Sequence, residues 1–214
     1  MPAVTRLEPA GRRGDRFRVY VDGDPLCTLS RKTVDRLGLA EGVEISPEAG
    51  EALRDEAVAE DALRRALRYL SYRSRTRSEI VRYLERRGYG SAVVAATLER
   101  CEAQGYVDDR AFAASWTRDR IRLKPRGVAK LRGELRQRGI TPADADAGIR
   151  KAFEEEGVSE RDLVERAALR RWRIRRSNDP PTVRRRLSAY LRRRGFPAPD
   201  IRDVVDRLMG EMEP

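Results

Sequence analysis

The sequence predicts a mainly α protein: three tandem three-helix repeats in an elongated curved array, preceded by a small β-rich N-terminal extension. Two observations carry this expectation. Three segments, Leu84-Glu-Arg-Arg-Gly88-Tyr89, Leu135-Arg-Gln-Arg-Gly139-Ile140 and Leu191-Arg-Arg-Arg-Gly195-Phe196, share one order: leucine, three polar residues rich in arginine, glycine, a large apolar residue. Their glycines lie 51 and 56 residues apart, a period that marks a repeated supersecondary unit. The register also extends beyond these segments. Trp116 and Trp172 each precede their glycine by 23 residues, and positions six and ten after each glycine hold Val94 and Leu98, Ala145 and Ile149, Ile201 and Val205.

The elements follow in order. In the extension, residues 1–45, Phe17, Val19 and Val21 alternate with Arg16, Arg18 and Tyr20 as in a half-buried strand. Residues 22–25, Asp-Gly-Asp-Pro, supply turn chemistry, and residues 26–29 read as the returning strand. Residues 4–7 and 43–45 are candidate short strands, and Ser30 caps a short helix ending at Gly38. Ser46-Pro47-Glu48 opens a linker helix over 46–60, with an N-cap hydroxyl, proline at the first helical position and an acid in the first turn. The first repeat, 61–107, carries a Leu63, Ala66, Leu67, Leu70 stripe, a Thr76–Glu79 capping box, and a third helix from Ser91 to Gly105. The second, 108–157, starts at the N-cap Asp108, runs through Phe112 and Trp116, and reopens at Thr141-Pro142. The third, 158–214, starts at Ser159 and restarts at Asp179-Pro180. Tryptophans at this spacing read as core side chains rather than base-stacking platforms.

Charge points to the partner. The chain carries 46 Lys plus Arg against 35 Asp plus Glu, a net +11. Residues 161–195 hold 13 arginines and 3 acids, whereas residues 41–61 hold 8 acids and one arginine. Such polarity suits a polyanion or an acidic surface. In each repeat, basic residues follow the first helix's aromatic: Arg73, Arg75 and Arg77; Arg118, Arg120, Arg122, Lys124 and Arg126; Arg173, Arg175 and Arg176. A second set decorates the second helices, including Arg184, Arg185, Arg192 and Arg193. Like charges at this density cost stability until a counter-charge arrives. These residues are the candidate binding surface, for single- and double-stranded nucleic acid or an acidic protein.

Catalytic signals are poor. Histidine is absent, removing the commonest general base and zinc ligand. No Gly-Lys pair exists for a phosphate-binding loop. Two cysteines are too few for a disulfide scaffold or metal cluster. Asp108-Asp109 reads as a helix cap, and Glu154-Glu155-Glu156 as a solvated helix end, since consecutive helical positions diverge by about 100°. No enzyme activity, metal or cofactor is expected. The longest apolar run, 92–96, cannot span a bilayer and the amino terminus lacks the apolar core of a signal peptide, so a cytoplasmic protein without membrane contact is expected. A monomer is expected because stacked repeats bury their own stripes.

The stretch Gly105-Tyr-Val-Asp-Asp-Arg-Ala-Phe-Ala113, Trp116, and Leu131-Arg-Gly-Glu-Leu-Arg-Gln-Arg-Gly-Ile140 resembles the RecX family of bacterial recombination regulators. Residues 66–72 with Ser78-Glu79 and 84–88 match the first-repeat signature, and the resemblance spans about residues 61–210. One departure is Lys124-Pro125-Arg126-Gly127, where the family commonly carries Gly-Pro. The resemblance implies a non-catalytic regulator that lies in the groove of RecA nucleoprotein filaments on single-stranded DNA, bridging protomers and damping ATP hydrolysis, strand exchange and repressor self-cleavage. The residues themselves also admit a repeat-based DNA- or RNA-binding protein acting without RecA.

Overall fold

The computed structural model describes residues 1–11, 14–174 and 179–210. The extension folds as an antiparallel three-stranded meander, β1 (Val4–Ala10), β2 (Arg16–Val21) and β3 (Asp24–Ser30), in the order β1-β2-β3. A two-residue turn at Asp22-Gly23, both with positive φ (49° and 88°), joins β2 to β3, the geometry whose twist matches hairpin strands. Register pairs Leu7 with Val19 and Val19 with Cys27, placing Val19 centrally on the inner face. There Val4, Val19, Leu29, Val34, Leu39, Ile45 and Leu53 form one core. Tyr20, expected on the solvent side, is also buried, because Arg6 stacks over its ring at 4.0 Å and its hydroxyl donates to Glu8 at 2.7 Å. Residues 43–45 make only a bridge, Glu44 to Ala3, since Ser46 already caps the next helix.

Helix α1 (Arg31–Arg36) is capped by Ser30. Helix α2 (Pro47–Leu70) is one uninterrupted helix of 24 residues, so the segment read as a linker and the first repeat's opening helix are continuous. Residues 51–70 contain neither glycine nor proline and are dominated by Ala, Glu, Leu and Arg, leaving nothing to break it. Helices α3 (Arg77–Glu85) and α4 (Ser91–Ala103) complete the first repeat. Ala62, Ala66, Ile80, Leu84, Val94, Leu98 and Cys101 are buried, each large side chain contributing ~1.5–3 kcal/mol. Leu63 and Leu67 are only half-buried, so the α2 stripe is narrower than its leucines suggest.

Downstream come α5 (Asp109–Leu123), α6 (Val128–Gln137), α7 (Pro142–Glu156), α8 (Glu160–Arg173), α9 (Pro180–Arg193) and α10 (Ala198–Gly210). The chain divides into two compact units: Met1–Arg73 with Ile80–Tyr106, and Ser74–Glu79 with Val107–Pro214. In the second unit α5 and α7 approach very closely, because a Cβ at Gly148 would lie 2.5 Å from the Ala113 Cβ and 2.8 Å from the Ala114 nitrogen. Ala113, Leu131, Leu135, Ile140, Ala145 and Ile149 form the second repeat's core. Ile121 and Ala152 of that repeat join Leu163, Leu187, Leu191, Phe196 and Val205 of the third, so these two repeats share one apolar interior, as stacked modules must. Among the described residues, no helix is long and apolar enough to cross a membrane.

Candidate functional site

Each second helix ends in the same way. Gly88, Gly139 and Gly195 have φ of 83°, 80° and 79°. Their N–H groups donate to Glu85, Arg136 and Arg192, and the next residues, Tyr89, Ile140 and Phe196, donate to Leu84, Leu135 and Leu191. These paired bonds are Schellman motifs, which satisfy the last helical carbonyls. The arginine before each glycine lies over an aromatic ring: Arg87 over Tyr83 at 3.7 Å, Arg138 over Trp116 at 3.8 Å, Arg194 over Tyr190 at 4.7 Å. Contacts of this kind anchor a cation at ~0.5–2 kcal/mol, least for the exposed Arg87 and more for the half-buried Arg138 and Arg194.

Within the second compact unit, the segment Ser74–Glu79 meets the end of α6, and the start of α6 meets the end of α9. The Thr76 hydroxyl, the cap that opens α3, donates to the Arg138 carbonyl at 2.9 Å. The Gly127 N–H, at the start of α6, donates to the Arg194 carbonyl at 2.9 Å. A Cβ at Gly139 would lie 2.3 Å from the Ser78 Cβ, and one at Gly195 2.6 Å from the Lys130 Cβ. These two glycines are therefore junction residues as well as helix caps. Gly88 has open space around it.

The structure sorts the candidate cations into engaged and outward groups. In the second repeat, Arg118 pairs with Glu155 and Arg122 pairs with Glu156 at 2.6 Å. Glu155 and Glu156 are thus ion-pair partners of α5, while Glu154 and Glu155 remain exposed to solvent as expected of a helix end. Arg120 lies over Trp116 at 3.5 Å and 3.5 Å from Glu134, and Arg126 pairs with the same carboxylate. Glu134 also accepts from the Trp116 indole N–H at 3.2 Å. Burial pulls both the Arg120 and Arg126 guanidiniums below their ordinary range, and Arg120 and Arg194 add repulsion at Arg126. Arg120 Nε is buried with no hydrogen-bond partner among the described residues. A positive cluster served by one central carboxylate is electrostatically under-compensated, a condition an external anion relieves.

Lys124 projects outward without a partner among the described residues. So do Arg173 at the end of α8 and Arg186, Arg192 and Arg193 on α9, whereas Arg184 pairs with Asp206 and Arg185, also exposed, acts electrostatically on Asp179. In the first repeat Arg73 and Arg77 are exposed and Arg75 half-buried, and each takes part in further interactions. The Arg77 N–H donates to Asp109 at 2.9 Å, and Asp108 caps α5 by accepting from Ala111 at 2.9 Å. Arg175 and Arg176 lie outside the described residues.

The sequence reading overlooked one class of surface residue. Tyr72, Leu123 and Ile174 are 72%, 70% and 63% exposed, each at or just beyond the end of its repeat's first helix and beside the basic segment. Tyr72 and Leu123 both precede their repeat's glycine by 16 residues. The available signal was an apolar side chain past the end of the buried stripe, directly before the arginine run. Arg170, one turn before Ile174, donates to the Leu123 carbonyl at 3.0 Å, so these two helix ends share a neighbourhood.

Comparison with known proteins matches the repeats one for one. The RecX first three-helix domain matches residues 62–101, the second 108–149 and the third 159–205. Regulatory protein RecX of Mycobacterium sp. (strain KMS) is 38% identical over 159 residues, covering 69% of this chain and 81% of that protein. Its namesake in Prosthecochloris aestuarii is 36% identical over 151 residues, covering 69% and 93%. Regulatory protein RecX of Limosilactobacillus reuteri (strain DSM 20016), 26% identical, aligns with 99% of this chain and 83% of its own length, so the extension is matched too. A crystal structure of regulatory protein RecX superposes with a TM-score of 0.76 at 26% identity, covering 96% of this chain and all of that one.

Proposed function

The chain belongs to the RecX family of regulatory proteins, and from that membership we propose that it is a non-catalytic regulator of homologous recombination acting on RecA filaments. It binds in the groove of filaments on single-stranded DNA and damps RecA ATP hydrolysis, strand exchange and coprotease activity. One observation supports a protein filament over bare nucleic acid: each repeat sets an exposed apolar side chain, Tyr72, Leu123 or Ile174, beside its cations. A single strand can stack a base on Tyr72, but its phosphates and bases gain little from the aliphatic Leu123 and Ile174, whereas a row of identical protein subunits can bury all three in equivalent apolar contacts. Several modest contacts on one chain favour an assembled filament over a free subunit through multivalency.

The direct test is RecA ATPase on single-stranded DNA titrated with the protein. The rate should fall with the wild-type chain, and the Tyr72→Ser, Leu123→Ser, Ile174→Ser triple variant should need at least about tenfold more protein for the same effect. No change in ATPase rate or filament lifetime at any ratio would rule out the regulator reading. The second reading, a direct DNA or RNA binder, is favoured by Arg185, Arg186, Arg192 and Arg193, which all stand exposed on α9, the last three without an ion-pair partner among the described residues. It predicts tight binding to naked DNA that weakens steeply with salt and is indifferent to the apolar triple variant.

A further inference from the structure

A cavity of about 540 Å³ opens within the first compact unit, where the extension meets α2 and α4. This lies within the ~300–1,000 Å³ of typical small-molecule sites. Its wall has two chemical characters. Leu63 and Leu67, one turn apart on α2, form an apolar strip that the core leaves half-exposed. Around it stand five cations from four elements: Arg16 of β2, Lys32 and Arg36 of α1, Arg64 of α2 and Arg100 of α4.

Three carboxylates also line the cavity, and two of them are already committed. Glu60 accepts from the Ser30 N–H and the Ser30 hydroxyl, both at 2.7 Å, and from the Thr33 hydroxyl. Glu56 pairs with Arg36 at 2.7 Å. The third, Asp15, stands at the start of β2. Lys32 and Arg100 have no ion pair or hydrogen bond among the described residues, and Arg16 directs one terminal nitrogen to the Thr28 carbonyl at 3.0 Å. Arg36 and Arg64 are engaged by Glu56 and Asp61, and Arg16 acts on Glu60. The uncommitted positive charge is therefore that of Lys32 and Arg100; beside the apolar floor it suits a ligand carrying phosphates at one end and a flat, weakly polar ring at the other.

We propose that this cavity binds a nucleoside polyphosphate. Lys32 and Arg100 hold the phosphates, assisted by the remaining N–H groups of Arg16 and Arg64, and the base lies on Leu63 and Leu67. Guanidinium forks match phosphate oxygens in pairs. A bound nucleotide bridges β2 and α1 of the extension to α2 and α4 of the first repeat, adding to the Glu60 and Arg36–Glu56 links already there. The site shares no residue with the partner surface, so its test stands apart from the regulator reading.

The test is calorimetric titration of the full chain, without RecA or DNA, using ATP, AMP and inorganic pyrophosphate. ATP should bind, with AMP and pyrophosphate each weaker by about tenfold or more, since each lacks one half of the recognition. The Lys32→Gln, Arg100→Gln double variant alters two exposed side chains and should keep the wild-type melting curve while losing about tenfold or more in ATP affinity. ATP should also slow amide exchange in β2 and α1. Absence of both heat and exchange protection at millimolar ATP overturns the proposal, as does an unchanged affinity in the double variant. Pyrophosphate binding as tightly as ATP overturns the nucleotide assignment in favour of a bare anion site.

Discussion

Gly139 and Gly88 hold the same helix-ending conformation but differ in surroundings, which separates the cost of backbone conformation from that of contact. Alanine at Gly88 meets open space, so Gly88→Ala should cost ~1–2 kcal/mol, the penalty of a side chain at positive φ. Alanine at Gly139 meets Ser78 as well, and Gly139→Ala should lose a further ~1–3 kcal/mol from overpacking. Urea denaturation of the two variants checks the difference; equal losses would remove Gly139 from the junction. Asp61 offers a pH test at the same scale. Burial alone would raise its pKa, but hydrogen bonds from Arg65, Tyr89 and Arg64 outweigh it and hold the carboxyl far below its ordinary range. Its contribution to stability is therefore full above about pH 5 and fades as pH falls past the unfolded value of ~3.9 toward the folded one. Asp61→Asn should cost ~1–3 kcal/mol at neutral pH and flatten the stability profile below pH 5, as followed by thermal melts across pH 3–7. An unchanged acid profile would show that the Asp61 cluster carries no linkage.

At the scale of elements, local chemistry was legible and long-range pairing was not. The caps at Ser46, Thr76, Asp108, Thr141, Ser159 and Asp179, and the glycine stops, were all readable because each uses residues within one turn. The pairing of Arg118 with Glu155 and Arg122 with Glu156 depends on how α5 lies along α7, with partners 37 and 34 residues apart. No periodicity in either helix announces it. Likewise the reading of Trp116 as core held only in part: the indole is half-buried against the second core, and its remaining surface meets Arg120 and Arg138. These pairs bear on the proposed binding to nucleic acid. Neutralising the α7 acids, Glu155→Gln with Glu156→Gln, should release Arg118 and Arg122 toward solvent. Affinity for naked single-stranded DNA should then rise and its salt dependence steepen by about 0.7 per added phosphate contact. Fluorescence anisotropy across a salt series reads both quantities; an unchanged slope would mean that these arginines stay clear of the phosphates.

For the whole molecule, the three-repeat plan was legible because the same Leu-to-Gly segment recurs three times, and repetition turns a weak local signal into a strong one. The apolar tips were not legible, because a single exposed Tyr or Leu is ordinary on any surface and gains meaning only when two repeats place one at the same position. They separate the two modes of binding. The Tyr72, Leu123, Ile174 serine variant should keep wild-type affinity for naked DNA while losing filament inhibition, and neutralising Arg185, Arg186, Arg192 and Arg193 together should weaken both. Electron microscopy of RecA filaments formed on single-stranded DNA with the protein added distinguishes the proposed action on the assembled filament from action on DNA alone. Additional density should follow the filament groove at the RecA repeat and be absent when the triple variant replaces the wild-type chain. Bare filaments beside protein bound only to protein-free DNA would contradict action on the filament.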